Sequence, residues 1–412
     1  MMGWRYLGRQ FEWLWAAYAV SAVGSSLALN AFAFVAILVL HSGSAEVSGL
    51  AAAGLAVGAV VAIPLGPWVE FRRKRSVMIA MDLTRFAALM TVPAAFALGC
   101  LSYAQLVIVS VIVAAATIAF RSASGACLKS LVRPEDLLVA NGRFESTTWT
   151  STALGPPLGG LAIGAFGPVT TVVTDAVSYL LSAIGIRAIG GSEPRPTRTG
   201  TSRLRVRDLA DGWRYILAHP GLRSLFFNTS LVNALIMVSA PLMSVLMLGT
   251  LKFAPWQFGL AFGAPCIGGL IGSRLAPHLV ARFGRHKVML VTGALRSCWP
   301  IGLAAVGRGA AGLALVICVQ FGLIVCISTF NPVYATYRLE QTPNERVSRT
   351  LSAWTVTTNF TTAVMTGLWG LLAAMTSPRI AIAIAGILLL ITPVLLPRHD
   401  QTRQPERELA SA

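Results

Sequence analysis

Charge is what this sequence has least of. Only 12% of its 412 residues are Asp, Glu, Lys or Arg, about half the share of a soluble domain. Acids are scarcer still, 16 against 33 Lys and Arg. A chain so poor in charge reads as an integral membrane protein. Cysteine is sparse and unpatterned: Cys100, Cys127, Cys266, Cys298, Cys318 and Cys326 stand singly in apolar segments. No CxxC pair or Cys/His spacing occurs, so neither a disulfide framework nor a metal site is indicated, and no cofactor is implied. The five histidines (His41, His219, His278, His286, His399) all lie in or near loops, which counts against an enzyme with a catalytic set at one depth. The absence of a G-x-x-x-x-G-K-[ST] loop counts against a self-contained ATP-driven pump.

What is present is apolar length. The chain is 55% hydrophobic with a mean hydropathy of +0.69. About 20 apolar residues cross a bilayer as a helix, and the sequence accommodates a dozen such spans. The fold class expected is therefore all-α, with twelve transmembrane helices. The net charge of +17 is distributed by topology. If the chain starts in the cytoplasm, most basic residues fall on that side, and only Lys252, Arg308 and Arg379 fall in outer loops. That asymmetry places both termini in the cytoplasm and argues against a nucleic-acid footprint. The first apolar run reads as a retained span rather than a cleaved leader.

The spans are duplicated. Residues 66–85, GPWVEFRRKRSVMIAMDLTR, join two apolar runs through the basic cluster Arg72-Arg73-Lys74-Arg75. A second copy lies 211 residues later at 277–296, where Val69 falls on Val280, Val77 on Val288, Met78 on Met289 and Arg85 on Arg296. Repeated sets of spans mark a transporter built from two halves. The expected organisation is a six-helix half over 1–190, a cytoplasmic linker over 191–221 with an amphipathic helix near 204–217, a second six-helix half over 222–397, and a tail over 398–412.

Taken in order, span 1 (12–40) opens with Trp13, Trp15 and Tyr18 and carries Asn30 inside the membrane. Span 2 has Gly54 and Gly58 at small-xxx-small spacing. Span 3 places Asp82 and Arg85 on one helical face. Span 4 carries Arg121, span 5 carries Glu145 and then the run Gly155-Pro156-Pro157-Leu158-Gly159-Gly160, and span 6 carries Asp175 in its outer half. Asp82, Arg121 and Glu145 lie at similar depth, within about 15 Å of the cytoplasmic face, and Glu145 is a candidate to pair with Arg121. Asp175 is expected far from those bases. Spans 7 to 12 hold no acid, so a proton-carrying acid belongs to the first half. Asn30, Asn233, Gln320 and Asn359, with Phe34, Met237 and Trp354, are candidates to line a central cavity for amphipathic molecules. Amide side chains in membranes also commonly join helices by hydrogen bonds.

Three stretches resemble motifs of the major facilitator superfamily, and within it the twelve-helix exporters that include macrolide efflux pumps and enterobactin exporters. Residues 66–75 resemble G-x-L-A-D-R-x-G-R-R, with Glu70 lengthening the acid, Phe71 in place of an arginine and Arg73 in place of the glycine. Arg121-Ser122-Ala123-Ser124-Gly125 resembles R-x-x-Q-G. Residues 155–160 closely resemble the G-P-x-x-G-G motif of antiporters. In the second half the region near Gly367 to Gly370 lacks the proline. Span 1 departs from many relatives in having Ser25 and Ser26 after Gly24 where they carry an acid.

The resemblance implies two pseudo-symmetric halves rocking about a central site. It assigns a cytoplasmic gate to Gly66, Glu70, Arg72, Arg73, Arg75 and Arg85, a hinge to Gly155, Pro156, Gly159 and Gly160, and proton transfer to Arg121. Glu145, Asp175 and Asp82 are proton-coupling candidates on their own account, as costly acids inside a bilayer. It implies a monomeric exporter of a lipophilic or amphipathic small molecule by proton antiport. A siderophore exporter and a non-transporting sensor are the alternatives.

Overall fold

The computed structural model describes residues 7–28, 31–40, 50, 53–54, 60, 69, 72–190 and 210–397. Among these residues every regular element is helical. This is the physical consequence of a bilayer solvent, which satisfies no backbone polar group and so admits helices that satisfy their own. Among the described residues, eight helices are long and apolar enough to cross a membrane.

Span 1, expected as one run, is two helices: α1 (Arg9–Leu27) and α2 (Ala31–Leu38). There follow α3 (Lys74–Ala97), α4 (Tyr103–Leu131), α5 (Leu137–Phe166) and α6 (Pro168–Arg187). Ser102 accepts the Gln105 N–H and caps α4. A short helix, α7 (Asp211–Ala218), precedes α8 (Pro220–Met237) and α9 (Ser239–Ser244). Then come α10 (Pro255–Gly263), α11 (Ile267–Phe283), α12 (Arg285–Cys298), α13 (Gly309–Glu340), α14 (Val347–Met375) and α15 (Pro378–Ile391). At 30 and 29 residues, α5 and α14 reach about 45 Å, longer than a hydrocarbon core of about 30 Å.

Two compact units result. One comprises Met1–Trp213 with Ala335–Ala363, the other Arg214–Tyr334 with Val364–Ala412. In the first, α3 packs on α4 and α6, and α1 packs on α5 and α6. Its apolar core joins Phe11, Leu14, Val77, Met78, Phe120, Leu128 and Ile186. In the second, α15 packs on α12 and on the 3-10 turn Trp299–Ala305. Close approach there depends on glycine. A Cβ at Gly272 of α11 would sit 2.1 Å from Ser328 Oγ and 2.4 Å from the Val325 carbonyl of α13. Lipid tails are as apolar as leucine, so such intimate contact, not hydrophobic burial alone, is what holds the helices together.

The two basic turns differ for a backbone reason. Gly284 begins α12 at φ 82°, a conformation that favours glycine. Arg73, its counterpart, begins α3 at φ −59° and ψ 124°, which any residue adopts. Replacing the motif's glycine therefore costs no strain here, because the first turn is built differently.

Candidate functional site

The buried charges of the first unit converge on α3, α6 and α1. Asp82 and Arg85 form an ion pair with side chains 0% and 4% exposed. They are three residues apart on one helix, so they face the same way. The Arg85 guanidinium lies over two rings, 4.6 Å from the centroid of Phe120 on α4 and 4.1 Å from that of Tyr179 on α6. One turn before Tyr179, Asp175 accepts a hydrogen bond from Ser25 of α1 at 3.1 Å. Ser25 also shares a 2.7 Å hydrogen bond with the Tyr179 hydroxyl. Asp175 is 8% exposed, and the charge of Arg85 acts on it as well as on Asp82. Of the two buried carboxylates, Asp82 thus pairs with the guanidinium directly, and Asp175 is connected to it through Ser25 and the Tyr179 ring that the guanidinium covers. Asp82 Oδ2 and Arg85 Nε have no hydrogen-bond partner among the described residues.

This overturns the expectation that Asp175 lies far from the bases. At about 1.5 Å per residue, Asp175 stands roughly 18 Å from the Arg187 end of α6, and Arg85 roughly 16 Å from the Lys74 end of α3. The depths match once each is measured from the same side. Arg85, expected at the gate, is likewise inside this cluster. The expected pairing of Glu145 with Arg121 is not what the structure brings together. Glu145 accepts from the Trp149 indole at 2.9 Å, while Arg121 is exposed between buried Phe120 and Ser122. Equal depth does not fix direction around the axis. Arg121 points away from the face that its neighbours bury.

Gly155 and Gly159, expected in a hinge, pack against α1 beside the acids. A Cβ on Gly155 would lie 2.4 Å from Ser26 Cβ and 2.7 Å from the Ser26 carbonyl carbon, and one on Gly159 would lie 2.1 Å from the Leu27 carbonyl oxygen. Nearer the start of α5, Arg143 pairs with Glu12 at 2.6 Å, Trp15 donates to Thr147 at 2.9 Å, and Tyr18 bonds Thr148 at 2.7 Å. Helices α1 and α5 are thereby joined along their length.

Of the gate residues, Gly66 and Glu70 lie outside the described residues. Arg72 and Arg73 are exposed. Arg75 donates to the Gly190 carbonyl just beyond α6, where a cation complements the helix dipole. Contacts that were not foreseen join α4 and α5 to the adjoining ends of α13 and α14 within the same unit. Ser122 bonds Ser352 at 2.8 Å, Asn141 donates to Thr336 at 3.0 Å, and Lys129 donates to the Thr342 carbonyl. From α7, Asp211 pairs with Arg349 at 3.1 Å and Trp213 donates to Thr357 at 2.8 Å.

The cavity candidates are scattered. Asn30 lies outside the described residues. Trp354, expected to line open space, is 3% exposed, with Arg338 5.1 Å above its ring. Phe34 and Met237 are 37% and 45% exposed. Asn233, Gln320 and Asn359 are partly buried. Among the described residues no group of three or more His, Cys, Asp or Glu is placed to hold a metal ion.

The second unit repeats the arginine without the acids. Arg296, 4% exposed, lies 3.7 Å over the Phe330 ring of α13 and donates to the Asn228 side-chain oxygen on α8. Asn228 in turn donates to the Thr392 carbonyl at 2.8 Å. At the repeat offset, Asp82 is replaced by Gly293, which packs against Leu396 and Phe330.

The family model of the Major Facilitator Superfamily matches residues 14–337 and, in a second match, 237–411. The chain belongs to the Major Facilitator Superfamily. It is similar to the multidrug efflux pump Tap of Mycobacterium tuberculosis (strain ATCC 25618 / H37Rv), 27% identical over 331 residues, covering 77% of this chain and 76% of the pump. It is also similar to Tap of Mycolicibacterium fortuitum, 24% identical over 290 residues, covering 68% and 69%. Its fold is that of a bacterial homologue of the iron transporter ferroportin in an outward-facing state, with a TM-score of 0.77 and 17% identity over 94% of this chain and 98% of the other. The human organic anion transporter MFSD10 gives 0.75 at 14% identity, over 94% and 99%. This Major Facilitator Superfamily chain is a multi-pass membrane transporter.

Two members of the acid cluster, Tyr179 and Phe120, escaped the reading of the sequence, and the part played by a third, Ser25, did too. Tyr179 follows Asp175 by one helical turn, and Phe120 precedes Arg121 directly, so both were within reach of a helical-face argument. Ser25 was noted only as standing where many relatives carry an acid, which by itself assigns it no partner. Only its partners give it meaning.

Proposed function

We propose that this transporter exports lipophilic or amphipathic small molecules, such as antibiotics or secondary metabolites, by proton antiport and alternating access. The observation that carries the coupling is the asymmetry between the repeated arginines. Arg85 is paired with one buried acid, Asp82, and connected through Ser25 and Tyr179 to a second, Asp175, whereas Arg296 is held by a neutral amide. Only the first set can exchange a proton while keeping its cation. Buried ionisable groups are expensive in a membrane and are retained where they do work. Asp82 Oδ2, lacking a hydrogen-bond partner among the described residues, is a second position for a proton beside the Asp175 carboxyl.

Export rather than import is supported by the G-P-P-L-G-G run on α5 and by the efflux relatives. Both termini are assigned to the cytoplasm by the basic loops. On that orientation, the Ser122–Ser352, Asn141–Thr336 and Lys129–Thr342 contacts form the inner gate. A substrate drives opening only by binding the two states with different affinity. The protein acts as a monomer, with protons and a small molecule as its partners.

The test uses inside-out vesicles with an imposed proton gradient, a fluorescent pH probe, and a panel of macrolides, lipophilic cations and siderophores. Collapse of the gradient by one compound only when the protein is present is the expected result. Accumulation of labelled compound without proton movement overturns the coupling. The site assignment falls if Glu145→Gln and Asp175→Asn both keep full substrate-driven proton movement.

A further inference from the structure

Residues 24–27 of α1 touch the acid cluster on one side and the glycines of α5 on the other. Gly24 makes the first contact possible: a Cβ there would lie 2.1 Å from Ser178 Oγ and 3.4 Å from Asp175 Oδ1. Ser25 then bonds both Asp175 and Tyr179. Ser26 and the Leu27 carbonyl are the atoms that Gly155 and Gly159 leave room for. Helix α1 ends at Leu27, where the Ala28 N–H returns to the Gly24 carbonyl.

We propose that Ser25 is the positioning residue through which proton loading of Asp175 reaches the α5 hinge, with residues 24–27 as the moving link. This inference rests on the proton-antiport reading above. The argument is one of proton inventory. A serine hydroxyl has a single hydrogen. While Asp175 is a carboxylate it can only accept, so Ser25 donates to it, and Tyr179 must donate to Ser25. The chain of donors runs from Tyr179 through Ser25 to Asp175. When Asp175 takes up a proton on Oδ1 it becomes a donor there, and the Ser25 hydrogen must turn away from it. The chain then reverses or opens. Charge-assisted hydrogen bonds are about twice as strong as neutral ones, so the loaded state holds α1 less firmly. Of the charged and titratable groups, Arg85 from α3 acts on Asp175 and Tyr179 from α6 shares Ser25 with it, while Asp82 of α3 acts on Tyr179. From α4, Phe120 completes the surround of Arg85 without charge. Release of Ser25 is felt one and two residues later, where α1 bears on Gly155 and Gly159.

The test is hydrogen–deuterium exchange on the full-length protein in lipid nanodiscs, stepped from about pH 8 to about pH 5, the range that spans perturbed carboxyl groups. Peptides over 24–28 and 155–160 are expected to speed up together, several-fold, as pH falls. Asp175→Asn should hold both peptides in the fast state at every pH. Ser25→Ala should leave a pH response in α6 near Tyr179 but remove it from 155–160, and Ser25→Thr, which keeps the hydroxyl, should restore it. The inference falls if wild type shows no pH response in the two peptides, or if Ser25→Ala transmits it unchanged. Gradient-driven transport measured on the same variants separates the two readings. Loss of transport in Asp175→Asn, with wild-type exchange in Ser25→Ala, sinks only the link. Full proton movement in both Asp175→Asn and Glu145→Gln sinks the site assignment, and accumulation of substrate by wild type without proton movement sinks the antiport reading itself.

Discussion

Placing a single methyl group on α5 tests the packing that joins the hinge to α1. At Gly159 a Cβ would sit 2.1 Å from the Leu27 carbonyl oxygen and 3.0 Å from its carbon, whereas ordinary contact begins at 3.4 Å. The shortfall is roughly 1 Å, and both opposing atoms are backbone, so no side chain can rotate aside. Overpacking of this kind costs about 1–3 kcal/mol. Alanine returns part of that, about 0.8–1 kcal/mol, through its better helix propensity. The net expectation for Gly159→Ala is a loss of up to about 2 kcal/mol.

Gly164 supplies the control, since a Cβ there meets nothing within 4 Å on the same helix. Gly164→Ala should therefore be neutral or stabilising by up to about 1 kcal/mol. If the α1–α5 contact is present in one transport state and absent in the other, the same energy shifts their equilibrium. A shift of about 1.4 kcal/mol is a factor of ten. The assay is thermal unfolding of purified protein in nanodiscs, paired with drug efflux from vesicles. Equal stability and activity in the two variants would refute the reasoning, as would greater damage from Gly164→Ala.

Arg85→Lys should keep the charge beside Asp82 but lose the planar group that lies over Phe120 and Tyr179. Stacking of a desolvated guanidinium contributes up to about 2 kcal/mol, so thermal stability and coupled transport should fall together. Arg296→Lys should destabilise by a similar amount yet leave the ratio of protons to substrate unchanged, which vesicle flux measurements read directly. Asp211→Asn breaks a partly exposed pair with Arg349 and should cost no more than about 1 kcal/mol, detectable as a small drop in unfolding temperature. Gly272→Ala should destabilise more strongly, since its Cβ would press on the Val325 carbonyl 2.4 Å away.

Much of the transporter was legible in the sequence because a bilayer imposes few options. Scarce charge and long apolar runs give membrane-spanning helices, since no other open structure satisfies its backbone in lipid. The repeat placed Arg296 opposite Arg85, and the missing acids of the later spans located the titratable chemistry in the first half. Glycines at 155 and 159 were legible as sites of close approach. What they approach was not. Sequence gives depth along a helix through its rise per residue, but not the direction in which a side chain points relative to other helices. That is why Glu145 was matched with Arg121 on depth alone, and why Asp175 was set apart from an arginine to which Ser25 and Tyr179 connect it. Only the packing of α1, α3, α4 and α6 decided that a second buried carboxylate, Asp175, is connected through Ser25 and Tyr179 to the guanidinium that Asp82 pairs with. It decided too that Ser25, with no charge to announce it, stands between Asp175 and Tyr179. Contacts between helices distant in sequence are fixed by rotation and translation of whole elements, and those degrees of freedom leave no periodic trace in the chain.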